Sequence, residues 1–108
     1  MSLTSYQKEF LQQLISIPSV GGDPEPGAPY GKRSREALDY FLEEANKAGF
    51  KTGIVGDRAG FVEFGKGDIL YGIICHLDVV PEGDGWNTNP FELVFKEDPG
   101  YGTALYGR

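Results

Sequence analysis

His76 and Asp78 are the two residues whose types and spacing point most directly to chemistry. His76 is the only histidine of the chain, and Asp78 follows it after one intervening residue. An imidazole that ligates a metal usually donates its second N–H to a carboxylate or carbonyl, which fixes its tautomer and raises its basicity. The pair can therefore supply one metal ligand and the group that orients it, but not a whole metal site.

An apolar run at residues 69–75 leads into this pair and predicts how it is held. The run ends at His76 and is soon followed by Pro81 and Gly83, a pattern typical of a buried strand that ends at a sheet edge. Because side chains alternate along a strand, His76 and Asp78 are expected on one face and Cys75 on the other. Cys75 is then predicted to be a small core residue. Asp is also a favoured turn residue, so capping the following turn is an additional role for Asp78.

Composition limits the class of protein. The chain has 108 residues, 40% of them hydrophobic, which suits one small packed domain or a piece of a larger one. A net charge of −6 argues against nucleic acid or an anionic membrane as a partner. The single cysteine excludes an internal disulfide and fits a reducing compartment. With no signal peptide and no apolar run near the roughly 20 residues that a membrane span needs, the expected location is the cytoplasm.

The hydrophobic pattern predicts an α/β fold with two helices packed on one face of a mixed β-sheet. Thr4 or Ser5, with Gln7, begins a first helix that ends before Pro18. A second helix spans roughly residues 31–48, and Gly49 is expected in a left-handed conformation after it. Strands are expected at residues 51–55, 61–64, 69–75, 93–96 and 103–106, with hairpin turns at residues 65–68 and 98–100.

The predicted sheet is left uncovered and open at an edge after its last strand. That is unusual for a complete small domain, so residues 1–108 are expected to be the beginning of a larger one. The exposed sheet also predicts self-association or marginal stability of this chain alone.

Several motifs, taken in order, resemble one enzyme family. His76-Leu77-Asp78-Val79-Val80-Pro81 is followed by Gly83, Gly85 and Trp86, then by Asn89-Pro90-Phe91 and by Leu105-Tyr106-Gly107-Arg108. This series resembles the superfamily of co-catalytic zinc peptidases and deacylases, which includes carnosinases, aminoacylases and Xaa-His dipeptidases. The upstream blocks Pro29-Tyr30-Gly31, Gly49-Phe50 and Glu63-Phe64-Gly65 are most similar to bacterial dipeptidases of the PepV type.

The resemblance implies the N-terminal portion of the catalytic domain of a zinc-dependent dipeptidase. Such an enzyme hydrolyses the peptide bond of a dipeptide with a water activated by two Zn²⁺ ions. His76 matches a zinc ligand, and Asp78 matches the catalytic-site carboxylate that clamps this histidine. The family's other ligands, its general base and its lid or dimerisation domain have no counterpart in these residues, so the isolated chain is expected to be inactive.

Two other functions remain open at this point. One is an N-acyl-amino-acid deacylase or desuccinylase of the same superfamily, which the block at Tyr30-Gly31 disfavours. The other is a truncated, non-catalytic interaction module that acts through its exposed sheet. Trp86, with Pro90 and Phe91, is expected to pack the loop after the site rather than to contact substrate.

Overall fold

The computed structural model describes residues 2–108. These residues form two compact units, one of Ser19–Asp78 and the other of the N-terminal segment up to Pro18 together with Val79–Arg108. The predicted α/β class is confirmed. The elements are α1 (Ser5–Ser16), α2 (Lys32–Lys47), β1 (Lys51–Val55), β2 (Ala59–Glu63), β3 (Val94–Asp98) and β4 (Gly102–Tyr106). No helix within residues 2–108 is long and apolar enough to cross a lipid bilayer.

Helix α1 begins and ends where its sequence predicts. The Thr4 hydroxyl accepts a hydrogen bond from the Gln7 backbone N–H at 3.2 Å, and the Gln7 side chain accepts one from the Thr4 N–H at 2.9 Å. This reciprocal capping box satisfies two N–H groups that have no partner within the helix. The helix stops at Ser16, and Ile17 is extended, because a residue that precedes proline is disfavoured in helical conformation.

Strands β3 and β4 form the antiparallel hairpin that was expected around residues 98–100. Val94 lies opposite Tyr106, and Asp98 lies opposite Gly102. One carboxylate oxygen of Asp98 accepts hydrogen bonds from the backbone N–H groups of Gly100 and Tyr101, at 2.8 and 3.0 Å. The turn is therefore stabilised by its own aspartate, as is common for this residue type.

Helix α1 packs beside this hairpin in the same unit. The Gln12 side-chain oxygen accepts a hydrogen bond from the N–H of the buried residue Leu93 at 3.0 Å. The Lys8 ammonium lies 5.2 Å from the centre of the Phe95 ring, within the range of a cation–π interaction. A polar bond and a ring contact thus attach the helix to the start of β3.

In the other unit, helix α2 packs on β1 and β2. Ala37 and Leu42 of the predicted apolar stripe are buried. Gly60 of β2 faces the helix so closely that a Cβ atom there would lie 2.8 Å from Leu38 and 2.9 Å from Leu42. The helix is followed by Gly49 with φ +91°, which confirms its predicted left-handed conformation.

The pairing of β2 differs from the expectation, which joined residues 61–64 to residues 69–75. β1 pairs antiparallel with β2, and Lys51 lies opposite Glu63. Gly56 and Asp57, with φ of +57° and +56°, turn the chain between the two strands. Glycine and aspartate tolerate this left-handed region, so the turn closes locally. The predicted hairpin across residues 65–68 is wrong, and the expected mixed sheet is found as two separate antiparallel pairs.

The predicted buried strand at residues 69–75 is also wrong. These residues form no strand, and the side chains of Ile73 and Ile74 are 94% and 100% exposed. Cys75 is exposed rather than buried in a core. A strand needs a neighbour for its backbone hydrogen bonds and a covering layer for its side chains, and within residues 2–108 the sheets pair other segments.

Candidate functional site

The candidate site is the His76 imidazole with the residue that faces it. Nδ1 of His76 lies 2.9 Å from the backbone oxygen of Asp78 and 3.3 Å from the carboxylate atom Oδ1 of the same residue. The two residues lie outside the four strands, so the strand geometry predicted for them is wrong. The two residues nevertheless lie in direct contact through this hydrogen bond.

This contact favours one form of the imidazole. Because Nδ1 faces two acceptors, the neutral ring is stabilised with its proton on Nδ1. The other ring nitrogen, Nε2, then keeps its lone pair, and the side chain is 81% exposed. An oriented, accessible Nε2 is suited to bind a zinc ion, since zinc in proteins takes imidazole nitrogen as a ligand.

His76 contributes one imidazole to the candidate site. Among the residues that the structure describes, no three His, Cys, Asp or Glu side chains come together as a metal-binding cluster. Catalytic zinc sites usually contain three protein ligands. His76 and Asp78 therefore fit part of a zinc site, and further ligands would have to come from elsewhere.

Ser19 is a residue near the site that the sequence did not reveal. Its side chain is 3% exposed, and its hydroxyl donates a hydrogen bond of 2.8 Å to the backbone oxygen of Leu77, the residue between His76 and Asp78. No local sequence feature marks Ser19 as buried, although a buried hydroxyl does need a hydrogen-bond partner. The partner itself lies 58 positions away and cannot be read from the sequence.

Trp86 belongs to the other unit and lies beside an open recess. Its indole N–H donates a hydrogen bond of 2.9 Å to the backbone oxygen of Glu82. The Lys96 ammonium lies 5.3 Å from the centre of the Tyr106 ring, and both residues line the same recess. This hydrogen bond attaches Trp86 to its own loop, whereas its expected packing with Pro90 and Phe91 stays a prediction. The recess has a volume of about 320 Å³ and is lined by Asp84, Gly85, Trp86, Asn87, Thr88, Lys96 and Tyr106.

The fold and site thus define an α/β chain that presents one oriented histidine, and comparison with known proteins adds to this description. The chain is 50% identical over 90 residues to proteins named "Putative dipeptidase" from three Staphylococcus aureus strains, USA300, NCTC 8325 / PS 47 and bovine RF122 / ET3-1. The matched region covers 82% of this chain and 19% of each relative. The chain therefore spans about a fifth of the length of these curated relatives. No family model matches it.

Proposed function

We propose that this chain is the N-terminal portion of the catalytic domain of a metal-dependent dipeptidase. The observation that carries the proposal is the 50% identity over 90 residues to staphylococcal proteins named "Putative dipeptidase". The arrangement of His76 and Asp78 supports it, because their contact leaves Nε2 oriented and accessible for a metal.

In this proposal His76 is a zinc ligand through Nε2, and Asp78 is the residue that orients it. The Nδ1–H of His76 donates to Asp78, which prevents the ring from rotating away and increases the basicity of Nε2. When bound, two zinc ions would lower the pKa of a shared water and polarise the scissile carbonyl of a dipeptide.

In this proposal the remaining zinc ligands and the general base come from a part of the protein outside residues 1–108. One imidazole falls short of the three protein ligands that a catalytic zinc usually has. The isolated 108-residue chain is accordingly expected not to hydrolyse peptides. Its proposed setting is the cytoplasm, which its single, exposed cysteine suits because thiols stay reduced there.

The test is an assay of the longer protein that contains this segment. The expected result is turnover of Ala-containing or His-containing dipeptides, with little turnover of N-acetyl or N-succinyl amino acids. Activity should disappear on chelation and return with added zinc. Preference for the N-acyl substrates would instead favour a deacylase, and no turnover of either class would favour a non-catalytic interaction module.

A substitution series would connect this activity to the site. His76→Ala should abolish turnover and lower the zinc content of the purified protein, as measured by elemental analysis. Asp68→Asn is the matched control, because Asp68 is an exposed acidic residue to which no role is assigned. Full activity and zinc content in the His76→Ala variant would contradict the assignment. Peptide hydrolysis by the isolated 108-residue chain would contradict the claim that its site is incomplete.

A further inference from the structure

A buried serine contacts the backbone between the two site residues. Ser19 is only 3% exposed, and within residues 2–108 it is the one buried polar residue. Its hydroxyl donates to the backbone oxygen of Leu77 at 2.8 Å. Since Leu77 separates His76 from Asp78, this bond acts on the peptide unit that joins the two side chains.

The bond matters because residues 76–78 lie outside the strands. In a strand, a ladder of backbone hydrogen bonds would fix the direction of each side chain. Here His76 and Asp78 are both exposed, so packing does little to hold them. A hydrogen bond from a buried donor is costly to leave unmade, because the hydroxyl would lose its partner without regaining water.

Helix α2 supports Ser19 from the other side. The hydroxyl of Ser34, in the first turn of α2, donates to the backbone oxygen of Ser19 at 3.4 Å. Ser34 thus contacts the backbone of Ser19, and Ser19 contacts the backbone of Leu77. Two successive hydrogen bonds, one from each serine hydroxyl, therefore connect the first turn of α2 to the irregular segment that contains His76 and Asp78.

We propose that Ser19 is a positioning residue for catalysis, which holds the Leu77 carbonyl so that His76 and Asp78 keep their mutual geometry. This inference rests on the proposed dipeptidase function. Residues that contact metal ligands without touching the metal orient those ligands, and their removal typically lowers metal affinity or activity by about 10–100-fold. Ser19 acts through the backbone rather than by touching metal or substrate.

The first test measures the bond by NMR in the longer protein that contains this segment. Ser19→Ala should shift the ¹³C′ resonance of Leu77 and lower the ¹⁵N order parameters of residues 76–78. Ser19→Thr, which keeps the hydroxyl, should restore both values at least in part. Ser16→Ala is the matched control, since the Ser16 hydroxyl bonds only to the nearby Gln13 backbone at 2.7 Å on an exposed helix surface. Unchanged order parameters in Ser19→Ala would overturn the proposal.

The second test measures catalysis in the longer protein. Ser19→Ala should lower kcat by about tenfold and zinc affinity by a similar factor, with KM changed less than about twofold. Ser34→Ala should show a smaller loss, and Ser16→Ala none. Equal losses in Ser19→Ala and Ser16→Ala, or a loss that Ser19→Thr does not reduce while its NMR values recover, would contradict a positioning role.

The two tests separate this inference from the function on which it rests. If the wild-type longer protein turns over no dipeptide, the proposed function fails, and with it the catalytic part of this inference. The NMR measurements would still decide whether Ser19 orders residues 76–78. If the wild-type protein is an active dipeptidase and Ser19→Ala retains full kcat and zinc affinity, only the role of Ser19 is contradicted.

Discussion

The Nδ1 atom of His76 lies close to two acceptor atoms of Asp78. Its distance is 2.9 Å to the backbone oxygen and 3.3 Å to the carboxylate. The contributions of the two acceptors can be separated, because a substitution of the Asp78 side chain removes only the carboxylate. The backbone oxygen stays in place in any variant. In the proposed zinc site, the carboxylate would contribute a negative charge that makes the imidazole a stronger zinc ligand.

Asp78→Asn in the longer protein is therefore expected to weaken zinc binding and turnover by about 10-fold, and Asp78→Ala by up to about 100-fold. Stability should change by less than about 0.5 kcal/mol, because the side chain is 63% exposed. Zinc titration, initial rates and urea denaturation measure the three quantities. Wild-type zinc affinity in Asp78→Ala would show that the backbone oxygen alone orients His76.

Gly31 is predicted to be the glycine least tolerant of a side chain on the approach to α2. It has φ +96° and ψ 154°, a region that is essentially restricted to glycine. A Cβ atom there would lie 2.7 Å from the backbone N of Gly22 and 2.8 Å from its Cα. Gly31→Ala should thus lose roughly 2–5 kcal/mol of unfolding free energy, from backbone strain and overpacking together.

Gly49→Ala provides the matched control for this prediction. Gly49 also has a positive φ, of +91°, but no atom lies within 4 Å of the position that its Cβ would take. Its substitution should cost only the conformational strain, about 1 kcal/mol. Urea denaturation of both variants separates the two contributions. Equal losses would show that the contact with Gly22 adds nothing.

Local chemistry in the sequence was sufficient to predict several elements. Thr4 and Gln7 determine the start of α1, and Gly49 marks the end of α2, because capping involves residues within a few positions of each other. The strand Lys51–Val55 was predicted at its observed bounds. A strand was also predicted at residues 61–64, but its pairing with β1 was not, because that pairing depends on the left-handed turn at Gly56 and Asp57.

The errors concern features that depend on distant residues. The apolar run at residues 69–75 matches a buried strand in pattern, but burial requires a partner that residues 2–108 do not supply. The contact between His76 and Asp78 was anticipated, since the two residues are neighbours in sequence. The bond from Ser19 to Leu77 spans 58 positions, and no local pattern encodes it.

Arg35 is predicted to stabilise the unit Ser19–Asp78 through the planar fork of N–H donors in its guanidinium group. Its Nε donates to Asp39 at 2.8 Å, and its Nη1 donates to Asp57 at 3.0 Å and to the backbone oxygen of Gly27. The hydrogen bonds to Asp39, and then to Asp57, raise the pKa of Arg35 above its ordinary value. An arginine is charged over the whole ordinary pH range in any case, so the geometry of these bonds, rather than a change of charge, determines their effect on stability.

Arg35→Lys keeps the charge but cannot reproduce the planar fork. We expect a loss of about 1 kcal/mol, limited by solvent because both carboxylate partners are more than half exposed. Arg33→Lys is the matched control, since Arg33 forms one exposed ion pair with Glu36, and its loss should stay below about 0.5 kcal/mol. Urea denaturation at low and high salt measures both. A loss for Arg33→Lys as large as that for Arg35→Lys would contradict a special role for the fork.

The exposed run at residues 69–75 is predicted to drive self-association of this chain. Its large apolar side chains are at least 74% exposed, and contiguous apolar surface of this kind associates in water. The notable members are Ile69, Leu70, Tyr71, Ile73 and Ile74. The surface expected to associate is thus this run, rather than the open sheet that the sequence predicted.

Replacing Ile73 and Ile74 together by lysine should reduce the association, because charged side chains oppose the pairing of exposed strand-like segments. Tyr101→Lys is the control, since Tyr101 is 91% exposed but stands alone in the β3–β4 turn. Light scattering over a concentration series should give oligomers for the wild-type chain and for Tyr101→Lys, and monomers for the double variant. A monomeric wild-type chain would contradict the prediction outright. Association that persists in the double variant would show that another surface of the chain is responsible.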